Sequence, residues 1–136
     1  MSAVNDPARY SEQVAIEPAD IDFMGHVNNA SYLKWVQAAV IGHWRTVAPP
    51  DAVASYLWIA VRHEITYRRP AFLHDAVVVS VRLDRVKRES AFYDTVFTRD
   101  GELLVEVTSR WCCVDAATHR PVRLDDAVVA MFLPEG

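Results

Sequence analysis

Cysteine is scarce in this sequence, and so is glycine. The 136 residues include two cysteines and four glycines. The cysteines, Cys112 and Cys113, are adjacent, and neighbouring side chains on a strand point to opposite faces, so a disulfide between them would be strained. Two cysteines also supply neither a zinc framework nor a disulfide scaffold. We therefore expect two reduced thiols on a strand, as in a cytoplasmic protein.

Long runs of like charge and long apolar runs are missing as well. The formal net charge is −4 and there is no long basic run, which argues against nucleic acid as a partner. No segment approaches the ~20 apolar residues that a membrane-spanning helix needs. Residues 1–10 are polar and lack the apolar core of a signal peptide. We expect a cytoplasmic protein with neither a membrane nor a nucleic acid as partner.

The apolar content that is present suffices for one core. Hydrophobic residues make up 51% of the chain, and its length is typical of one domain. We find no internal repeat and no low-complexity linker. The sequence therefore predicts a single domain over residues 1–136 that folds without a cofactor or a metal.

One segment predicts a long helix that is apolar on most sides. It runs from Ala30 to about Thr46, where Pro49-Pro50 follows, and Asn28 or Asn29 before it could cap its N-terminus. The apolar residues that recur with helical spacing are Leu33, Val36, Val40 and Trp44. Because further apolar residues occupy much of the remaining circumference, we expect this helix to be covered on most sides.

Alternating patterns predict strands on both sides of the helix. A short strand is expected near residues 13–16 and longer ones over 58–67, 76–86, 92–98 and 103–114. In the first long strand, the residues predicted to share a buried face are Ile59, Val61, His63, Ile65 and Tyr67. Asp100-Gly101 predicts a tight hairpin, and residues 124–132 a short closing helix. The order predicts an α+β fold in which an antiparallel sheet curls about the helix.

The segment over residues 20–35 carries the candidate chemistry. It reads Asp20-Ile-Asp22-Phe-Met-Gly25-His26-Val-Asn28-Asn29-Ala-Ser-Tyr32-Leu-Lys-Trp. A carboxylate beside a helix N-terminus supplies a base or nucleophile, and the unpaired backbone N–H groups there can stabilise a developing oxyanion. From the residues alone, the two aspartates could equally be loop-capping carboxylates, and the two asparagines plain helix caps.

This run resembles the N-terminal signature of the 4-hydroxybenzoyl-CoA thioesterase-like branch of the hot-dog superfamily. In that pattern, Asp-x-Asp is followed two residues later by Gly-His-Val-Asn-Asn and, after two more, by Tyr-Leu. The predicted order of strands extends the resemblance over nearly the whole chain. It implies a hot-dog fold, a long central helix wrapped by a five-stranded antiparallel sheet. It also implies hydrolysis of a fatty or aromatic acyl-CoA by a homodimer that assembles into a homotetramer.

The same resemblance implies roles for individual residues. Asp22 would be the nucleophile or general base, and the Asn29 backbone N–H would polarise the thioester carbonyl. His26 is a third catalytic candidate, with a structural role as the alternative, and Asp20 is ambiguous. The residues implied in substrate binding are Gly25, Val27, Asn28, Tyr32, Arg85, Lys87, Arg88 and Ser90.

The basic residues in that set have two interpretations. Arg85, Lys87 and Arg88 lie at a turn between strands and could meet the phosphates of CoA, for which arginine and lysine are suited. A solvated hairpin tip is the alternative. A metal on Asp20, Asp22 and His26 is possible by ligand type, but the other histidines show no paired spacing, and we expect none.

Three other functions remain to be weighed. A hot-dog dehydratase usually carries a histidine-rich signature on the central helix, and this helix has only His43. A non-catalytic acyl-thioester-binding protein is argued against by Asp22. Acyl-carrier-protein thioesters are an alternative substrate. Trp35, Trp44 and Trp58 are interpreted as core residues or walls of an acyl pocket.

Overall fold

The computed structural model describes residues 6–132, with one long helix followed by four long strands. Residues 1–5 and 133–136, which the predicted domain also includes, lie outside the described residues. The elements are β1 (Arg9–Gln13), a 3-10 helix (Pro18–Asp20), α1 (Ser31–Val47), α2 (Pro50–Ser55), β2 (Tyr56–Tyr67), β3 (Val77–Lys87), β4 (Ser90–Arg99), β5 (Glu102–Asp115) and α3 (Asp126–Phe132). Within 6–132, no helix is long and apolar enough to cross a bilayer.

The sheet has the order β1-β3-β4-β5-β2, and all its pairings are antiparallel. The predicted α+β fold with a five-stranded antiparallel sheet is thus confirmed. The hairpin predicted at Asp100-Gly101 joins β4 to β5, with φ angles of 53° and 79°. Positive φ at both central residues gives a turn whose twist matches that of the flanking strands. The order leaves β2, the longest strand after β5, at an edge of the sheet.

The core lies between α1 and the inner face of the sheet. The predicted inner row of β3 is buried in full: Val77, Val79, Val81 and Leu83. The Tyr32 ring meets the Phe97 ring edge-on, with centroids 5.0 Å apart, near the start of α1. At the other end of α1, Trp44 meets Trp58 in the same way at 5.6 Å. Edge-to-face contacts of this kind add to the stabilisation from burial.

A buried histidine joins α1 to two other parts of the chain. His43 is fully buried, with Nδ1 2.6 Å from the Tyr93 hydroxyl and Nε2 2.5 Å from the Pro7 carbonyl oxygen. Both ring nitrogens therefore have partners, as a buried imidazole requires. The contact to Pro7 holds the segment before β1 against α1.

The prediction that α1 is covered on most sides is wrong. One face is buried, but Leu33, Lys34, Gln37, Ala38 and Arg45 are exposed. The sheet covers only the side of α1 that it faces. Leu33 and Ala38 lie on the other side and are exposed although they are apolar. The helix is amphipathic within one chain, with a partly apolar outer stripe.

The predicted buried face of β2 is wrong for a local reason. The register with β5 shifts between Ala60 and Arg62, so Val61 is an extra residue in a β-bulge. Because a bulge reverses the alternation, Ile59 does not share a face with His63. Ile59 and Val61 are 51% and 50% exposed, since no strand of the described residues lies beyond β2.

Two further boundaries differ from prediction. The first strand lies at Arg9–Gln13, before the predicted residues 13–16, because Glu17-Pro18 already begins the 3-10 helix. The helix cap predicted at Asn28 or Asn29 is also wrong: the N-cap of α1 is Ala30, without a side-chain cap. Asn28 instead accepts a hydrogen bond from the Ala30 N–H through Oδ1 at 2.9 Å, in a turn that precedes the helix.

Candidate active site

Asp20 holds the loop before α1 to the helix itself. Its side chain is buried and accepts hydrogen bonds from the Glu17 N–H at 2.8 Å, the Ser31 hydroxyl at 2.8 Å and Lys34 Nζ at 2.7 Å. Burial opposes the charged form, but the hydrogen bonds from Lys34, Glu17 and Ser31 outweigh it and lower the pKa of this carboxyl. The structure therefore resolves the ambiguity of Asp20 in favour of a structural role.

Asp22 lies in a tight loop and keeps one carboxylate oxygen open. Its backbone N–H donates to the His26 carbonyl at 3.0 Å, and its carbonyl accepts from the Gly25 N–H at 3.0 Å. Oδ1 accepts from the Met24 N–H at 2.9 Å. Oδ2 has no hydrogen-bond partner among residues 6–132, and the side chain is 22% exposed. An ionised carboxylate with one free oxygen can act as a base or a nucleophile.

Gly25 allows this loop to close. Its φ is 84°, a left-handed conformation that glycine adopts without steric cost. The loop then returns at Val27, which is paired with Ile21 in an isolated bridge and donates to the Ala71 carbonyl at 2.8 Å. The turn brings His26 back toward Asp22, with Nδ1 3.8 Å from Oδ1. That separation exceeds a hydrogen bond, so the two side chains are neighbours and not a bonded pair.

The start of α1 presents an unpaired backbone donor at Asn29. The N–H groups on either side are occupied: that of Asn28 donates to the Asp20 carbonyl at 2.7 Å and that of Ala30 to Asn28 Oδ1. The Asn29 N–H has no acceptor in the described part of the chain. The Asn29 carbonyl accepts a hydrogen bond from the Tyr67 hydroxyl at 3.1 Å, which fixes Asn29 against the end of β2.

A cavity of about 210 Å³ opens beside this helix start, and we call it the loop cavity. His26, Val27, Asn29 and Tyr32 line one side, and residues 67–70 line the other. Asp22 adjoins it through His26. The cavity therefore collects four of the predicted site residues. Burial raises the pKa of Tyr32 to about 12, so its phenol stays neutral there at ordinary pH.

Residues 67–70 were missed by sequence reasoning. Tyr67 ends β2, and Arg68 and Arg69 follow it, far from the loop in sequence; only the tertiary fold brings them to the cavity that Asn29 lines. Arg68 pairs with Glu106 and Arg69 with Glu102, so both guanidinium groups already have carboxylate partners. The signal that could have found them is the charge density of Arg68-Arg69 at a strand end beside a proline.

The predicted phosphate-binding residues lie at the other end of the sheet. Lys87, Arg88 and Ser90 form the β3–β4 hairpin, with Ser90 in register with Cys112 and, one strand further, with Ile59. The loop cavity lies at the Tyr67 end of β2, and Tyr67 is in register with Val105 and Phe97. The seven residue steps from Ser90 to Phe97 span roughly 23 Å along β4. Within one chain, the hairpin does not meet the loop.

Arg85 differs from its neighbours in having partners already. Its guanidinium lies over the Phe92 ring, 4.0 Å from the centroid, and Nη1 is 3.0 Å from Asp84 Oδ2. Lys87 and Arg88 are exposed and make no ion pair with the described residues. These two side chains are therefore more available to an anionic group than Arg85 is. Across residues 6–132, no group of three potential metal ligands comes together.

The family model and the relatives that this chain matches are all described as thioesterases. Residues 16–132 match the model of the family described as the thioesterase-like superfamily. The chain is 26% identical over 123 residues to the long-chain acyl-CoA thioesterase FadM of Escherichia coli, covering 83% of this chain and 89% of that protein. It is 25% identical over 125 residues to YneP of Bacillus subtilis, a putative acyl-CoA thioesterase, covering 85% and 87%.

A solved structure has the same fold over most of both chains. A thioesterase of Thermus thermophilus, complexed with coenzyme A and zinc, superposes with a TM-score of 0.79 and is 26% identical. The match covers 91% of this chain and 97% of that one. The predicted hot-dog architecture, a long helix against a five-stranded antiparallel sheet, is thus confirmed.

Proposed function

The chain belongs to the thioesterase-like superfamily, and on that basis we propose that it hydrolyses the thioester of an acyl-CoA to the free acid and CoA. The observation that carries this proposal is the unpaired Asn29 N–H at the start of α1, beside a cavity that adjoins Asp22. Relatives named as acyl-CoA thioesterases, and a neighbour with bound coenzyme A, support the substrate class.

Asp22 is the proposed catalytic carboxylate. With Oδ1 held by the Met24 N–H, Oδ2 can take a proton from water, whose oxygen attacks the thioester carbon. Alternatively, Oδ2 attacks the carbon directly and water opens the resulting anhydride. On either route, the carbonyl oxygen gains the negative charge, and collapse of the tetrahedral intermediate breaks the C–S bond and releases the CoA thiolate, which then takes a proton.

The Asn29 N–H is the proposed donor to that oxyanion. It lies where the helix dipole of α1 adds partial positive charge, and an unpaired donor loses no existing hydrogen bond when the charge develops. One such donor is worth ~3 kcal/mol of transition-state stabilisation in known cases. The Tyr67 hydroxyl holds the same residue through its carbonyl, on the neighbouring peptide group. His26 is proposed to orient Asp22 or the attacking water.

Two copies of the chain would bring the remaining predicted residues to the site. The free edge of β2 carries exposed Leu57, Ile59 and Val61, which a second copy could cover. A two-fold axis pairs β2 with itself in the antiparallel sense, so the Ile59 end of one strand lies beside the Tyr67 end of the other. The hairpin of Lys87, Arg88 and Ser90 would then approach the partner's loop cavity, where it could bind CoA phosphates.

Several finer predictions belong to this proposal. Gly25, Val27, Asn28 and Tyr32 would contact the acyl-CoA near the thioester, with a weaker contribution from Arg85 at the hairpin. We further propose a homotetramer built from such dimers, a cytoplasmic location, and membership of the 4-hydroxybenzoyl-CoA thioesterase-like branch. A fatty or an aromatic acyl group is proposed, with acyl-carrier-protein thioesters as the alternative.

The test is thiol release from a panel of acyl-CoAs of increasing chain length and of aromatic acyl-CoAs. Asp22→Asn should lower kcat by roughly 10²- to 10⁴-fold, the usual contribution of a positioned acid or base. Asp51→Asn, at an exposed carboxylate in the first turn of α2, is the matched control and should hydrolyse normally. An unchanged rate in Asp22→Asn overturns its catalytic role. Saturable CoA binding without hydrolysis of any substrate indicates a non-catalytic acyl-thioester-binding protein.

A further inference from the structure

One buried hydroxyl at the loop cavity has no partner in the described part of the chain. Tyr32 is 2% exposed, and its ring packs edge-on against the Phe97 ring with centroids 5.0 Å apart. The Tyr32 hydroxyl makes no hydrogen bond there, whereas the hydroxyls of Tyr67 and Tyr93 are both bonded. A buried polar group without a partner costs free energy, so its presence calls for a physical reason.

The Tyr32 hydroxyl still reaches open space, and that space is the loop cavity. Among residues 6–132, the fully enclosed side-chain atoms without a partner are His63 Nδ1 and Thr95 Oγ1, and the Tyr32 oxygen is not one of them. This oxygen therefore keeps some accessible surface. Because Tyr32 is almost wholly enclosed and lines the loop cavity, we place that surface in the cavity.

The loop cavity has a buried floor and an exposed rim. Val27 and Tyr32 are buried and form the floor, whereas Asn29 and residues 67–70 are exposed and form the rim. The cavity measures about 210 Å³. A cavity of about 150 Å³ holds a benzene molecule, so this one has room for a small acyl group. The arm of a bound CoA must leave across the rim, since its charged phosphates stay in water. The acyl group is therefore the part that reaches the floor.

Tyr32 lies one helical turn beyond the proposed oxyanion donor. Residues three apart on a helix are neighbours, with Cβ atoms about 5–6 Å apart, and Ala30 between Asn29 and Tyr32 is already helical. The atom that meets the Tyr32 hydroxyl therefore belongs to the first few positions of the acyl group. Burial raises the pKa of Tyr32 to about 12, so the phenol is neutral at ordinary pH and can donate its proton to an oxygen acceptor.

We propose that the Tyr32 hydroxyl donates a hydrogen bond to an oxygen atom near the thioester end of the acyl group, and that the site therefore favours 3-oxoacyl thioesters over hydrocarbon acyl thioesters of equal length. This inference rests on the proposed function, which supplies the acyl thioester. It extends that function by naming a class of acyl group. The role of Tyr32 is one of specificity, since a site with a buried donor discriminates against a ligand that leaves the donor unpaired.

The first test compares hexanoyl-CoA with 3-oxohexanoyl-CoA in thiol release. Tyr32→Phe should lower the ratio of kcat/KM for the oxo substrate to that for hexanoyl-CoA by about five- to tenfold, the value of one neutral hydrogen bond. The value for hexanoyl-CoA should stay within about twofold. Comparing ratios cancels the different intrinsic reactivity of the two thioesters. Tyr56→Phe, at a half-buried tyrosine that begins β2, is the matched control and should leave the ratio unchanged.

Two results of this test overturn the assignment. An unchanged ratio in a folded Tyr32→Phe protein shows that the hydroxyl does not contact the acyl oxygen. Equal losses with both substrates show that it contacts a part common to them, such as the CoA arm. A protein that hydrolyses hexanoyl-CoA but not 3-oxohexanoyl-CoA also contradicts the proposed preference.

The stability of Tyr32→Phe distinguishes a specificity role from a structural one. The variant keeps the ring contact with Phe97 and loses no hydrogen bond within the protein, so the midpoint of urea unfolding should stay the same or rise. A clear fall in the midpoint shows that the hydroxyl stabilises the fold, and it overturns the premise that this group is kept for a ligand.

Binding to Asp22→Asn separates this inference from the proposed function. In calorimetric titrations, 3-oxohexanoyl-CoA should bind with a Kd about five- to tenfold lower than that of hexanoyl-CoA, and adding Tyr32→Phe should remove the difference. Equal Kd values before that addition overturn the assignment of Tyr32. If the unmodified protein hydrolyses no acyl-CoA but the binding preference is present, the proposed function fails and the assignment of Tyr32 is upheld.

Discussion

Replacing Asp20 by alanine should lower the free energy of unfolding and leave most of the catalytic rate. Replacing Asp22 by alanine should abolish most of the catalytic rate and change the stability little. Asp20 is 2% exposed and accepts three hydrogen bonds, from the Glu17 N–H, the Ser31 hydroxyl and Lys34. Hydrogen bonds to a charged group contribute about 1.5–3 kcal/mol each, and buried donors left without an acceptor cost more. The Lys34 side chain is 60% exposed, so its contribution falls to about 0.5 kcal/mol.

With the lower value of about 1.5 kcal/mol for each of the Glu17 and Ser31 contacts, and the Lys34 contribution added, Asp20→Ala should lose about 3.5 kcal/mol in the free energy of unfolding. With a urea m-value of about 2 kcal/mol/M, the midpoint of unfolding should fall by about 1.5–2 M. Asp22→Ala removes one hydrogen bond, to the Met24 N–H, from a loop with exposed neighbours, and should cost under about 1 kcal/mol.

The assay is urea unfolding followed by tryptophan fluorescence, with thiol release measured on the same preparations below the transition. Asp20→Ala should retain a large part of kcat at low urea, whereas Asp22→Ala should retain almost none. Ser31→Ala, which removes only one of the three donors, should fall between the unmodified protein and Asp20→Ala in stability. Equal midpoints for Asp20→Ala and Asp22→Ala would refute the division of roles between the two carboxylates.

Three further predictions concern acid stability and the hairpin. Burial lowers the pKa of His43, so the unfolded chain takes up a proton at a higher pH than the folded protein does. The free energy of unfolding should therefore fall as pH drops below 6.5. His43→Gln should reduce this pH dependence in urea titrations at a series of pH values. The pKa of Asp20 is also lowered, so its stabilisation is present above 3.8 and is lost as pH falls through the folded value; Asp20→Ala should lack this last acid-dependent loss. Gly101→Ala should lower the stability by about 1 kcal/mol in thermal unfolding, because φ is 79° at this position, a conformation that alanine adopts only with strain. A Cβ would meet no neighbouring atom, so the cost comes from the backbone alone. An unchanged stability would contradict this reasoning.

Local patterns predicted the elements that local forces determine. The apolar spacing of α1 and the strand alternation of β3 need only neighbours in sequence, and the Asp100-Gly101 turn carries its own conformational preference. The face of β2 could not be predicted in this way, because the bulge at Val61 depends on the register with β5. The loop cavity needed the fold as well, since Tyr67 reaches Asn29 from 38 positions away.

The two aspartates show most clearly where sequence reasoning ends. Asp20 and Asp22 are two residues apart, and an extended segment would place both carboxylates on one side. The 3-10 helix at Pro18–Asp20 ends between them, and Ile21 then enters a bridge with Val27. Asp20 is thereby turned toward Ser31 and Lys34 in the interior, whereas Asp22 is left in the loop with a free Oδ2. The same residue type thus closes the loop at one position and is available for chemistry at the other, because a short helix separates their environments.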